Sequence, residues 1–394
     1  MLSSWALRTT AALFLLACTT AAAQSAETEA SALAALRIGA SVSRSGPLAA
    51  ESQLVERGLK QWVEDLNDRG ALLGRPVELI LRDDRSSVAG AIASYEALLD
   101  AGVGLFISPY SSALTLAVRD ALGDRDYAMI AVSSAPEIWS RPNPRIFGLY
   151  TPADDNMRPA LELAQERGLA RVAIAHLDSR FPRAVADGAE RLAQYLGLDV
   201  VAKESYSNES TLRPMLSRIA TTQPEVLLLG AYMSDSVALT QAAQTVNLKP
   251  KLVVFSGAPA VRDFGERLEY RGIDGILSTV QWMRSVRFPG AFDFGFRYRR
   301  QHGIYPSYDA AGGYAALQVM EAAVRLAQST APERVRQQLK TLKFRSILGH
   351  FRVDDRGRQI AKQTYLVQWQ DRHISLVYPT DIARWDLRFP FSDW

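Results

Sequence analysis

Two serine pairs are the residues of this chain whose type and spacing come nearest to a binding chemistry. Ser111-Ser112 stands in Pro109-Tyr110-Ser111-Ser112-Ala113, and Ser133-Ser134 in Ala131-Val132-Ser133-Ser134-Ala135-Pro136-Glu137. Each pair follows a short apolar run, over 103–107 and 128–132, and helical patterns begin nearby. The first N–H groups of a helix have no partner inside it, so hydroxyls beside them make a neutral cradle for a carboxylate. Serine is equally a favoured N-cap. Cradle and cap both stand as readings of the two pairs.

Motifs for catalysis are missing. Gly102-Val103-Gly104 has no third glycine at the dinucleotide spacing and precedes a strand, where the fingerprint follows one. There is no phosphate loop, no H-E-x-x-H and no G-x-S-x-G elbow. His176, His302, His350 and His373 are far apart, and with Cys18 as the lone cysteine they form no zinc pattern. Asp83-Asp84 has the charge to hold a cation, but an acidic pair at a loop tip is ordinarily solvated. The expectation is a chain that is not an enzyme and that carries no metal and no cofactor.

The elements that must position the serines follow from hydrophobic period. Apolar runs over 38–42, 77–81, 103–107, 128–132 and 146–150 alternate with helical patterns over 54–66, 88–101 and 113–122. A second set follows Thr151-Pro152: strands over 172–176, 200–206, 226–229 and 252–255, with helices over 156–168, 184–196, 211–222 and 235–246. Strands alternating with helices require crossover connections and a mainly parallel, doubly wound α/β sheet. Two such units in series suggest a structural duplication. Helices over 291–302, 309–328 and 332–342 and strands over 363–370 and 373–378 form a mixed tail able to complete either lobe. In sheets of this kind ligands bind outside the carboxyl ends of the strands, where both serine pairs fall.

The 394 residues, 48% of them hydrophobic, allow two domains with a core each. A net charge of +3 with no basic stripe gives no footprint for nucleic acid. Residues 1–23 read as an export signal. Arg8 precedes an apolar run from Ala11 to Cys18, and Ala21-Ala22-Ala23 supplies the small-residue cleavage site. The run would span about 12 Å as a helix, against a hydrocarbon core of about 30 Å. Leu15-Leu16-Ala17-Cys18 is also a loose lipoprotein box, so anchoring through Cys18 is the alternative to soluble export. Residues 24–36 read as a flexible leader. Processing at Ala23 removes Arg8 and the only cysteine, which leaves core packing to hold the fold.

A long ordered set of short motifs carries a resemblance. It runs through Ile38-Gly39, Ser45-Gly46-Pro47-Leu48-Ala49, Arg57-Gly58-Leu59, Trp62-Val63, Asn67, Gly70, Leu73-Gly74-Arg75-Pro76-Val77-Glu78-Leu79 and Asp83-Asp84. It continues through Ser111-Ser112, Ser134-Ala135-Pro136-Glu137, Gly230-Ala231-Tyr232 and Tyr308-Asp309-Ala310. The chain resembles the periplasmic solute-binding proteins of the branched-chain amino-acid (leucine/isoleucine/valine) ABC transporter family. The resemblance implies a type I periplasmic-binding fold of two α/β lobes joined by three crossing segments, near 150–152, 277–281 and 349–351. One lobe would be 37–150 with 281–348 and the other 152–277 with 352–380, leaving 381–394 as an aromatic-rich tail. It also implies a periplasmic monomer that closes around a small ligand and docks on an ABC permease in the inner membrane. A sensing module that reports occupancy to a signalling partner is the rival.

The site implied by the resemblance holds a carboxylate on Ser112 and Ser134, with Ser111 and Ser133 beside them. Phe181 and Tyr232 come from the second lobe, and Tyr110 and Trp282 suit an aromatic or short aliphatic ligand. The acidic residue that pairs with an α-ammonium in the family should fall in Phe255-Ser256-Gly257-Ala258-Pro259 and is absent there. Asp235 is the substitute to consider, with helix capping as its plain alternative. The aromatic or glycine usual after Ser-Gly-Pro is replaced by Ala50-Glu51-Ser52. Burying an ammonium without a carboxylate partner costs several kcal/mol. A carboxylate-bearing ligand that need not be an α-amino acid is therefore expected, and micromolar binding of leucine or valine would contradict this.

Overall fold

The computed structural model describes residues 34–141, 144–392 and 394. The export signal, Cys18 and most of the leader lie outside the described residues. Within them no helix is long and apolar enough to cross a membrane.

The first sheet contains β1 (Leu36–Val42), β2 (Val77–Asp83), β3 (Leu105–Ile107), β4 (Ala128–Ala131) and β5 (Ile146–Gly148), in the order β2-β1-β3-β4-β5. Every pairing in it is parallel. β3, β4 and β5 are buried throughout, as near-continuous apolar runs in a sheet covered on both faces should be. The second sheet contains β6 (Arg171–Leu177), β7 (Asp199–Tyr206), β8 (Val226–Gly230), β9 (Leu252–Ser256) and β10 (Leu277–Val280). Its order, β7-β6-β8-β9-β10, reproduces that of the first sheet. β13 (Tyr365–Gln370) and β14 (His373–Tyr378) then extend it antiparallel from β10. The α/β architecture with two mainly parallel, doubly wound sheets is thus as the sequence pattern implies.

In each sheet the strand order reverses once, between β1 and β3 and between β6 and β8. Such switch points open a crevice at the strand ends. Around the first sheet lie α1 (Ala49–Asp68), α2 (Val88–Asp100) and α3 (Ser112–Leu122), together with α9 (Ala291–His302), α10 (Tyr308–Ala327) and α11 (Pro332–Thr341) from the tail. The second sheet carries α4 (Arg158–Glu166), α5 (Arg180–Tyr195), α6 (Leu212–Thr221), α7 (Met233–Ala243) and the short α8 (Arg262–Arg267). α1 and α10 touch backbone to backbone. A Cβ on Gly58 would fall 1.9 Å from the Ala310 carbonyl oxygen, and one on Gly313 2.3 Å from that of Val55.

Three details depart from the pattern reading. Residues 277–280 form a full strand of the second sheet and not a bare connection. Residues 349–351 pair with 344–346 as the hairpin β11 (Phe344–Ser346) and β12 (Gly349–Phe351). α5 starts at Arg180 although Pro182 lies inside it. A proline is tolerated there because the first-turn N–H groups have no helical acceptor to lose. The aromatic tail packs on the second lobe: Phe391 is buried in its core, and Arg388 donates its N–H to Gln368 Oε1 at 2.8 Å.

Candidate ligand-binding site

The two switch points face each other across a cleft that is open to solvent on one side and lined by residues of both lobes. Tyr110, Ser111, Ser112, Ser133 and Ser134 all line it from the first lobe, and Phe181 and Tyr232 from the second. Their positions follow from the topology. Ser111-Ser112 sits where β3 turns into α3, and Ser133-Ser134 lies just past β4. Phe181 is in the first turn of α5 after β6, and Tyr232 immediately precedes α7 after β8.

The four serines have different duties. Ser111 is the N-cap of α3, its Oγ accepting the Leu114 N–H at 3.3 Å. Its φ of 88° is held in a region a serine rarely adopts, at a cost on the order of 1–3 kcal/mol. Ser112 Oγ accepts the N–H groups of Ser134 and Ala135 at 3.2 and 3.0 Å, which fastens the β3 and β4 end loops together. With both acceptances made inside the protein, its own O–H remains the group to donate. Ser133 donates to Thr115 Oγ1 at 2.9 Å, and the Ser134 carbonyl accepts from Ala153 N–H at 2.8 Å. Capping thus accounts for Ser111, while Ser112 and Ser134 form one fixed surface at the cleft wall.

Aromatic rings close the opposite side. Tyr232 packs against Phe181 at 6.1 Å and meets Tyr110 edge-on at 6.4 Å across the cleft. Tyr150 meets Tyr308 at 6.2 Å. The segments that follow β5 and β10 are tied to one another. Gln281 Oε1 accepts the Thr151 N–H at 3.0 Å, Thr279 donates to Asn156 Oδ1 at 2.6 Å, and Thr364 donates to the Asn156 carbonyl at 2.9 Å.

Two carboxyls missed by sequence reasoning also line the cleft. Glu51, in the first turn of α1, is 4% exposed and accepts the Met233 N–H at 3.0 Å from the start of α7 in the other lobe. Asp309, in the first turn of α10, is 2% exposed. Burial raises the Glu51 carboxyl above its ordinary range despite the Met233 N–H. Burial, with the nearby Glu51 charge added, raises Asp309 well above its own. Both residues stand in motifs quoted above, but an acid in a first turn ordinarily signals only a favourable helix dipole.

Three other expectations are corrected. Trp282 is buried in the first-lobe core, packed on Phe294 at 6.0 Å, and does not line the cleft. Asp235 is the third residue of α7 and also lies outside the cleft lining. Asp84 is not solvated: it is fully buried and accepts from Ser41 Oγ at 2.6 Å, Ser43 Oγ at 2.5 Å and Ser86 N–H at 3.0 Å. It organises the loop after β1 that leads to Glu51.

Two lobes with facing switch points and a hydroxyl-lined cleft define the class of two-lobed binding proteins. Residues 35–373 match the family model described as periplasmic binding protein. The chain belongs to that family. Among its relatives, the Leu/Ile/Val-binding protein homolog 8 of Brucella abortus is 24% identical over 383 residues, covering 91% of this chain and 94% of the relative. The leucine-binding protein LivK of Thermotoga maritima superposes with a TM-score of 0.80 at 19% identity, covering 88% of this chain and 99% of the other. A solute-binding protein of an ABC transporter from Rhodopseudomonas palustris, solved with benzoate, gives 0.75 at 16% identity, covering 87% and 96%. The chain is accordingly a solute-binding protein and not an enzyme, with a type I periplasmic-binding fold.

Proposed function

We propose that this protein is the periplasmic solute-binding subunit of an ABC importer and that it closes two lobes around a small carboxylate-bearing ligand. The lobes are 37–150 with 281–348 and 152–277 with 352–380. The observation that carries this reading is the fixed Ser112–Ser134 surface at adjacent strand ends, facing Phe181 and Tyr232 across the cleft. The ligand carboxylate takes hydrogen bonds from the serine hydroxyls and the first-turn amides of α3. The aromatics cover the rest of the molecule. Relatives named for leucine, isoleucine and valine and a neighbour solved with benzoate are consistent with an amino acid, an aromatic acid or a short aliphatic acid. Ligand in the cleft stabilises the closed form by contacts that the open form lacks, and the closed monomer engages the permease in the inner membrane. Calorimetry with branched-chain amino acids and with aromatic and short aliphatic acids tests the reading. A single site whose affinity drops in Ser112→Ala supports it, and binding indifferent to Ser112 and Ser134 contradicts it.

A further inference from the structure

The stretch Phe255-Ser256-Gly257-Ala258-Pro259 holds no acid, and the structure leaves no room for one at its centre. Gly257 has φ 85°, and a Cβ there would lie 2.6 Å from Tyr308 Oη. Carboxyl groups reach the cleft from the opposite lobe. Glu51 and Asp309 both line it, both are more than nine-tenths buried, and each keeps one oxygen, Glu51 Oε2 and Asp309 Oδ1, without a hydrogen-bond partner. No lysine, arginine or histidine is among the residues lining the cleft.

We propose that Glu51 and Asp309 form a first-lobe subsite for a cationic nitrogen of the ligand, which is therefore a zwitterion with its carboxylate on the serines and its ammonium between these carboxyls. The inference rests on the carboxylate reading above and adds the second half of the ligand.

An isolated buried carboxylate is costly, and one paired with a hydrogen-bonded cation is not. A dipole role alone would be filled as well by an exposed first-turn acid, and gives no reason to bury two carboxyls with an oxygen of each unmet. Tyr110, Tyr232 and Tyr308 line the same cleft, and the face of an aromatic ring attracts an ammonium. Donors at the serine end and acceptors at the Glu51 end give the cleft the polarity of an amino acid. Glu51 also touches Met233 N–H in the second lobe, so an ammonium held there lies at the seam that closes.

The test titrates the full chain, freed of bound ligand, with three matched series: leucine, valine and phenylalanine; the amine-free isocaproate, isovalerate and hydrocinnamate; and the carboxyl-free isoamylamine, isobutylamine and phenethylamine. An amino acid that binds at least about tenfold more tightly than its amine-free partner supports the inference. In Glu51→Gln, which preserves an acceptor for the Met233 N–H, that preference should shrink about ten- to a hundredfold with little change in melting temperature. Asp309→Asn repeats the measurement on the second carboxyl. An amine-free acid binding as tightly as its amino acid overturns the inference and leaves the carboxylate reading intact. Preference for the carboxyl-free amines keeps the subsite and removes the carboxylate reading. A preference unchanged in both variants overturns the subsite, and binding by none of the three series overturns both readings.

Discussion

Ser112 carries more of this site than any other side chain, because one hydroxyl oxygen receives two buried N–H groups from the neighbouring strand end. Ser112→Ala leaves both donors unpaired, at a cost of about 1–3 kcal/mol each. We expect a drop in melting temperature and an affinity loss of at least about tenfold, measured by calorimetry on the folded variant. Away from the cleft, Glu225 accepts the Ala170 N–H, the Lys251 ammonium and the Arg171 N–H, which together hold its carboxyl down to about 2. A carboxyl depressed in the folded state stabilises above its ordinary value of 4.5 and loses that contribution as the pH falls to about 2. Glu225→Gln should therefore be less stable than the parent at neutral pH. In chemical denaturation the gap should close between pH 4.5 and about 2, and a gap constant over that window would contradict the assignment. The order of elements alone puts the serine pairs at strand ends, whereas Phe181 and Tyr232 followed only from the family resemblance; all of them line the cleft. Glu51 and Asp309 were not legible in the sequence, since nothing local distinguishes a buried first-turn acid from an exposed one.

What aims those acids is the seating of α1 on α10. Gly58 and Gly313 let the two backbones meet, and the first turns carrying Glu51 and Asp309 arrive together at the cleft. Gly58→Ala raises helix propensity yet places a methyl group 1.9 Å from the Ala310 carbonyl oxygen. Overpacking of this kind costs about 1–3 kcal/mol, more than the roughly 1 kcal/mol that propensity returns. We expect a net loss of stability, read by urea denaturation, together with weaker ligand binding because the two acids move apart. Element types and most boundaries followed from hydrophobic period, including the long α10. β10 and the β11–β12 hairpin were read as mere connections because short segments carry too little period to be recognised. Trp282 was misread for a related reason: an aromatic beside a crossing fits core and cleft equally well by spacing alone.

At the scale of the molecule, two copies of one strand order meet at a seam that direct bonds between the lobes bridge. Glu51 with Met233, the Arg180–Glu137 ion pair at 3.7 Å and the Tyr110–Tyr232 contact are among them. The segments after β5 and β10 are held together by the Gln281–Thr151 and Thr279–Asn156 bonds. Two separate sheets joined by firmly tied connections suit a rotation of one lobe against the other better than internal rearrangement of either. Ligand should contract the molecule in solution scattering and slow amide exchange at the start of α7, with exchange in the two sheets unchanged. The duplicated topology was visible in the sequence as two series of alternating runs. The facing of the two crevices was not, because it depends on how the tail returns to both sheets. The most direct test is native mass spectrometry of the protein purified from the cells that make it, followed by identification of what it releases. One small molecule per chain is expected, bearing a carboxyl group and released chemically unchanged. A released molecule without a carboxyl, or a ligand turned over by the protein, would contradict it.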